Sequence, residues 1–439
     1  MADYHKMWKG LNMDLATHDQ LCAALPPAFE QVFLTQQDRP LGMDYFNMVI
    51  AEVHGLRIQE LLEHKARGGK IIGSFCIYVP EEIVLALGGI MVGLCAGSEF
   101  WVPAGEQVLP RNLCPLIKAG IGAKVSRTCP YFQSVDLVVG ENTCDGKKKA
   151  WEVLGDMAPT YVMDLPNTKG ESGFSLFRKS MADLVKKLEE VTGNRLDFDR
   201  LNSAIETVER KRAVLARLYE TRKAQSIPIS GLDMLLASQV AFYDDAERFI
   251  TQATDLAKEC ENRVKAGQTV FPEGTRRLLV TGTPIVVPNW KVHKIIETSG
   301  AAVVVEENCT GTRYFESRVD TSGASTVEQL IDAITHRYFD RIHCACFSPN
   351  EGRADDVIRL VKEYDVDGVV GLNLSFCTTY QVENEKMRHR LQSEGIPFLA
   401  LETDYAAGDE GQLRTRIEAF IESLTSPCRP IRQGKEPHQ

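Results

Sequence analysis

The sequence predicts an α/β protein built of two Rossmann-like domains with parallel sheets, plus a helical N-terminal region and a helical insert. Three observations point there. Short, unbroken apolar runs alternate with helical runs over residues 69–165, and the alternation resumes near 275. Unbroken apolar strands between helices indicate a parallel sheet covered on both faces. The stretch 170–265 between them carries amphipathic helical patterns and lacks strand signals. The two alternating halves also resemble each other: "IIGSFCIYVPEEIVLALGGIMVGLC" lies beside "LLVTGTPIVVPNWKVHKIIETSGAAVVVEENC".

Taken in order, residues 1–65 read as helical, with "YFNMVIAEVHGLRIQELLEHKARG" the clearest part. Residues 66–168 form the first Rossmann-like domain. "KIIGSFC", "IMVGLC", "VDLVVGENTC" and "TYVMDLP" are its strands, and "PEEIVLALGG" and "DGKKKAWEVLGDM" are helices between them. Asp145 reads as the N-cap of the second helix, because a short acceptor side chain there satisfies free backbone amides. Residues 169–270 form the insert or lid, with three long amphipathic helices. Residues 271–439 form the second domain, with strands in "RRLLVTG", "AAVVVEENC", "DGVVGLNLSFC" and "PFLALETD".

The internal register pairs Cys95 with Cys309 and Cys144 with Cys377. In open parallel sheets, ligands bind outside the carboxyl ends of the strands. Cys76, Cys95, Cys144, Cys309 and Cys377 end strands, and Cys114, Cys129, Cys344 and Cys346 read as loop residues able to reach the same rim. Cys22, Cys260 and Cys428 lie in helical or tail contexts and read as incidental.

Composition bounds the function. The chain has 439 residues, 12 cysteines and a net charge of -10. That charge argues against broad nucleic-acid or membrane-surface binding. The opening "MADYHKMWKGLNMD" lacks the apolar core of a secretory signal, and no run is long enough for a membrane span. The expected location is the cytoplasm, where structural disulfides are rare. Paired CxxC zinc knuckles are missing. Dispersed thiols with little nearby histidine suit iron–sulfur chemistry better than zinc. Lys147, Lys148 and Lys149 read mostly as a solvated run. His293 and His336 read as helix-surface residues. Arg313, Tyr314 and Tyr380 are candidates for lining a pocket. His343 and Glu307 are candidate proton-handling residues beside the ligand strands, with Glu306 and Glu141 as neighbours. The chain has no GxxxxGK[ST] phosphate loop, so no ATP site of that kind is expected.

"LPRNLCPLIKAGIG", "DLVVGENTCDGKKK", "ENCTGTRYFE", "DGVVGLNLSFC" and "GIPFLALETDY" resemble the 2-hydroxyacyl-CoA dehydratase and benzoyl-CoA reductase subunit family, most nearly its double-cubane-cluster branch. The resemblance runs over 70–424. It implies one four-iron four-sulfur cluster on the positions matching Cys114, Cys144 and Cys377. In the double-cubane branch it implies two cubanes joined by a sulfide, an 8Fe–9S cluster on six cysteines. The additional ligands are then expected among Cys129, Cys309 and one of Cys344 and Cys346, with Cys346 preferred and Cys344 and Cys76 in reserve. The resemblance also implies a homodimer fed by a separate ATP-hydrolysing iron–sulfur activator, and a small-molecule substrate. The expected function is the catalytic component of an ATP-dependent two-component low-potential reductase. The alternatives are a dehydratase subunit with one 4Fe–4S cluster and an iron–sulfur electron carrier.

Overall fold

The computed structural model describes residues 4–424. Eight strands form two four-stranded parallel sheets. β1 (Lys70–Ser74), β2 (Gly89–Gly93), β3 (Leu137–Glu141) and β4 (Thr160–Met163) are ordered β2-β1-β3-β4. β5 (Arg276–Gly282), β6 (Ala301–Glu307), β7 (Gly368–Leu374) and β8 (Phe398–Thr403) are ordered β6-β5-β7-β8. The strand orders are therefore the same in both halves. The strands β3, β6 and β7 are buried along their whole length, which explains their unbroken apolar pattern.

The same device sets the entry of the third strand in each half. Asp136 accepts a hydrogen bond from the Ile71 amide at 2.8 Å and donates its own amide to the Ile71 carbonyl. Asp367 does the same with Arg277, accepting at 2.9 Å. An aspartate just before an apolar strand thus fixes register through two bonds to its neighbour.

One face of the first sheet packs Ile72, Leu137 and Val139 into a core shared with the insert helices and the second sheet. Its other face packs Ile71, Val92 and Val138 against the helices Pro115–Val125 and Asp145–Gly155. The insert helix Phe198–Thr221 is tied to the helix Glu81–Ala86 by buried ion pairs, Lys211–Glu81 at 2.5 Å and Arg212–Glu82 at 2.8 Å. Removing one partner of such a pair leaves an uncompensated buried charge and costs about 3–5 kcal/mol.

Several local expectations are corrected. Cys114 and Cys129 are the last loop residues before helices Pro115–Val125 and Pro130–Ser134, whose N-cap positions they occupy. Proline at the first helical position starts both, since its missing N–H is not needed there. Pro115–Val125 is buried along nearly its whole length and so carries no amphipathic signal. The helix Gly231–Val240, fully buried, carries none for the same reason. Asp145 is the first helical residue, and Cys144 occupies the N-cap position instead. His293 is fully buried and lies 3.0 Å from Glu306, so it is not a surface residue. No helix among the described residues is long and apolar enough to cross a membrane.

The helix after Cys114 is held by close backbone contact. A Cβ at Gly122 would lie 1.9 Å from the Trp101 carbonyl oxygen, and one at Gly105 would lie 2.1 Å from the Lys118 carbonyl oxygen. Only glycine allows the two segments to approach this far.

Candidate metal centre

The carboxyl ends of β1, β3, β6 and β7 and three loops converge on one cavity of about 590 Å³. Its lining includes Cys76, Cys114, Cys144, Cys309, Cys344, Cys346 and Cys377, and no histidine. Cys76 and Cys309 each lie two residues past a strand, β1 and β6. Cys144 and Cys377 each lie three residues past a strand, β3 and β7. Cys344 and Cys346 come from the segment between helices Val327–Asp340 and Glu351–Glu363. All of these cysteines are free thiols.

The seven fall into two groups. In the first, Cys114 and Cys377 hydrogen-bond thiol to thiol, and Cys144 interacts with both. Each of the three is the N-cap residue of a helix. The Cys144 sulfur accepts from the Lys147 amide at 3.4 Å. Helix N-termini favour thiolate over thiol. The bond from Cys377 lowers the Cys114 pKa against its burial, with help from the amides of Leu116 and Ile117, and the same bond raises that of Cys377.

The second group is Cys76, Cys309, Cys344 and Cys346. The bond from Cys346 brings Cys344 down to about 6 against burial, with the Arg313 charge assisting, while Cys346 is raised. Burial pushes Cys309 up to about 11, against the attraction of Arg313. Burial, and next to it the Glu141 carboxylate, raise Cys76.

Two buried cations stand beside these thiols. Lys147 is ion-paired with Glu141 and reaches the Phe75 carbonyl at 3.5 Å. Burial opposes its charge, but Glu141, Cys76 and Cys95 raise its pKa well above the usual lysine value. Lys148 and Lys149 are exposed, so only the first lysine of the run is part of the site. Arg313 lies 3.9 Å from the Cys309 sulfur and bonds the Tyr380 hydroxyl. Positive charge of this kind offsets an anionic thiolate assembly.

The candidate proton-handling residues lie elsewhere. Glu307 does not line the cavity: it is buried between Arg313, at 2.9 Å, and Arg353, at 3.1 Å. Burial raises its pKa, but the two guanidiniums outweigh it and hold the carboxylate below its ordinary range. His343 pairs through Nδ1 with Asp356 at 2.7 Å and also lies off the cavity lining. The polar groups that do face the thiols include Tyr380, Glu383, Asn350 and Lys386. Of these four, the sequence pointed only to Tyr380. Glu383 and Lys386 sit among many charges on the helix Thr378–Ser393, and nothing in their spacing singles them out.

Cys129 is the one expected ligand that the fold does not bring to the cavity. Its charged neighbour is Lys124, and burial pushes its thiol up to about 11. Cys95 donates to the Phe75 carbonyl at 3.3 Å and lines a second, smaller cavity of about 60 Å³. That cavity shares Cys76 and Cys309 with the larger one and is otherwise mostly apolar, with Phe242, Val286 and Tyr314 in its wall.

Seven free thiols, no histidine, and buried cations fit a thiolate-bound iron–sulfur cluster. The fold and site together define an α/β protein with a thiol-lined cavity at the carboxyl ends of paired parallel sheets. Residues 76–424 match the family described as "2-hydroxyglutaryl-CoA dehydratase, D-component", and the chain belongs to that family. It is 39% identical over 390 residues to the provisionally named dehydratase subunit YjiM of Escherichia coli (strain K12), covering 88% of this chain and 99% of that one. It is 23% identical to the beta subunit of the (R)-phenyllactyl-CoA dehydratase of Clostridium sporogenes, over 83% of this chain and 94% of that one. With a benzoyl-CoA reductase component of Thauera aromatica it shares 20% identity, over 81% of this chain and 91% of that one.

Proposed function

We propose that this chain is the catalytic component of an ATP-dependent, two-component low-potential reductase that carries a double-cubane 8Fe–9S cluster and reduces small unsaturated molecules. The observation that carries the reading is the number of thiols facing one cavity, seven, where a single cubane takes four at most. Cys114, Cys144 and Cys377 would hold one half. Three of Cys76, Cys309, Cys344 and Cys346 would hold the other, with Cys76 taking the place first given to Cys129. When bound, such a cluster supplies electrons at low potential.

The chain's own residues prepare the site. Helix N-termini and the cations Lys147 and Arg313 balance thiolate charge, and a small, mostly apolar cavity borders Cys76 and Cys309. About 60 Å³ suits a molecule of a few heavy atoms. The chain acts as a cytoplasmic homodimer, with the four parts 1–65, 66–168, 169–270 and 271–439, and takes electrons from a separate ATP-hydrolysing iron–sulfur activator.

A second reading, a dehydratase subunit with one 4Fe–4S cluster, is favoured by the names of the relatives above. Iron and acid-labile sulfide counts on anaerobically purified protein separate the two: about eight irons per chain supports the double cubane, and about four with full activity supports the dehydratase. Turnover with a low-potential chemical donor is then compared with and without activator and ATP. Equal rates would remove the two-component assignment.

A further inference from the structure

The N-terminal helices hold a second group of metal-binding side chains, apart from the thiol-lined cavity and outside the family-matched residues 76–424. His18 and Cys22 lie one turn apart on the helix Leu15–Phe29, so they share a face. His54 comes from the turn that follows the helix Met43–Ala51. His18 Nε2 is 3.0 Å from His54 Nδ1 and 3.6 Å from the Cys22 sulfur. All three ligand atoms lie within 4.8 Å of one another.

These distances can be set against a tetrahedral zinc ion. With Zn–N of about 2.0–2.1 Å and Zn–S of about 2.3 Å, neighbouring N and S ligands stand about 3.6 Å apart and two nitrogens about 3.3 Å apart. The sulfur–nitrogen distance matches as it stands, and the two imidazoles need to part by only a few tenths of an ångström. Without a metal, the same atoms form a histidine–histidine hydrogen bond and a thiol contact 3.6–3.7 Å from the two nitrogens of the His18 ring.

The surroundings suit a fixed ligand set. Trp8 packs against His18 with ring centroids 4.3 Å apart and donates its indole N–H to the His54 carbonyl at 2.7 Å. The His18 side chain is fully buried. A metal entering here displaces the thiol proton of Cys22.

The geometry points to a mononuclear zinc-class site on His18, Cys22 and His54, with water in the fourth position, that staples the helix Leu15–Phe29 to the 52–55 turn.

The test uses anaerobically purified holoprotein equilibrated with zinc and desalted. Metal analysis is expected to find about one zinc per chain, and zinc-edge X-ray absorption a shell of two nitrogens, one sulfur and one oxygen. Cys22→Ser and His54→Gln are expected to lower zinc at least tenfold while iron content stays at the wild-type value, which also shows that both variants fold. A zinc chelator is expected to lower the melting temperature of the wild type, with recovery on adding zinc and not magnesium, and to leave Cys22→Ser unaffected. Three results would overturn the site: no stoichiometric zinc in the wild type, zinc retained in both variants, or a sulfur-dominated shell, which would place the zinc among the cavity thiols.

Discussion

Cys144 and Cys377 occupy equivalent positions in the two halves: each lies three residues past the third strand of its sheet, and each is the N-cap of the helix that follows. They come from different sheets, yet both reach Cys114. Cys144→Ser and Cys377→Ser are therefore each expected to remove iron from the first thiol group and abolish turnover. Iron retained in full by Cys377→Ser would break the equivalence.

Cys76 and Cys129 give opposite expectations. Cys76 lines the cavity and Cys129 does not. Cys76→Ser should reduce iron content, measured against protein by metal analysis, whereas Cys129→Ser should keep the wild-type value. The reverse pattern would restore the ligand set first expected from the sequence.

Lys147 is buried with Glu141 as its ion-pair partner. Lys147→Met leaves that carboxylate buried and unpaired, at a cost of about 3–5 kcal/mol. The urea midpoint should fall accordingly. The double variant Lys147→Met/Glu141→Gln should recover part of the loss, because the stranded charge is gone.

Glu297 accepts from the Gly231 and Leu232 amides at 2.6 and 3.2 Å. Burial nevertheless pushes its pKa up to about 8, against those two bonds. A carboxyl raised in the folded state binds its proton more tightly folded than unfolded. Its stabilising effect is thus complete below the unfolded value, about 4.3, and is lost as pH rises through the folded value. Between those limits the slope is at most about 1.4 kcal/mol per pH unit, reduced by solvent screening. Wild type should lose stability relative to Glu297→Gln as pH rises from 5 to 8, read from paired denaturation curves. Parallel curves would show that the carboxyl titrates normally.

The eight strands were legible because each is an apolar run bounded by glycine, proline or aspartate, and because the two halves repeat the same order. The helices Pro115–Val125 and Gly231–Val240 were not legible, since burial on all sides erases the periodicity that marks a helix. At the site, strand-end position pointed to Cys76, Cys144, Cys309 and Cys377, and the fold brings all four to the cavity. Cys129 misled because its "CPYF" context looks like that of Cys114, yet its short helix packs near Lys124, away from the cavity. Glu307 misled in another way. Sequence shows a carboxylate at a strand end but not the two arginines, one six residues on and one far along the chain, that neutralise it.

The convergence of both sheets on one cavity has a consequence for biogenesis. Cys377 emerges from the ribosome long after Cys114 and Cys144, and Cys309, Cys344 and Cys346 also belong to the later half. A nascent chain that has folded only its first sheet presents Cys76, Cys114 and Cys144 with neither group complete. Loading of the proposed cluster would therefore wait until the second sheet has been synthesised and docked.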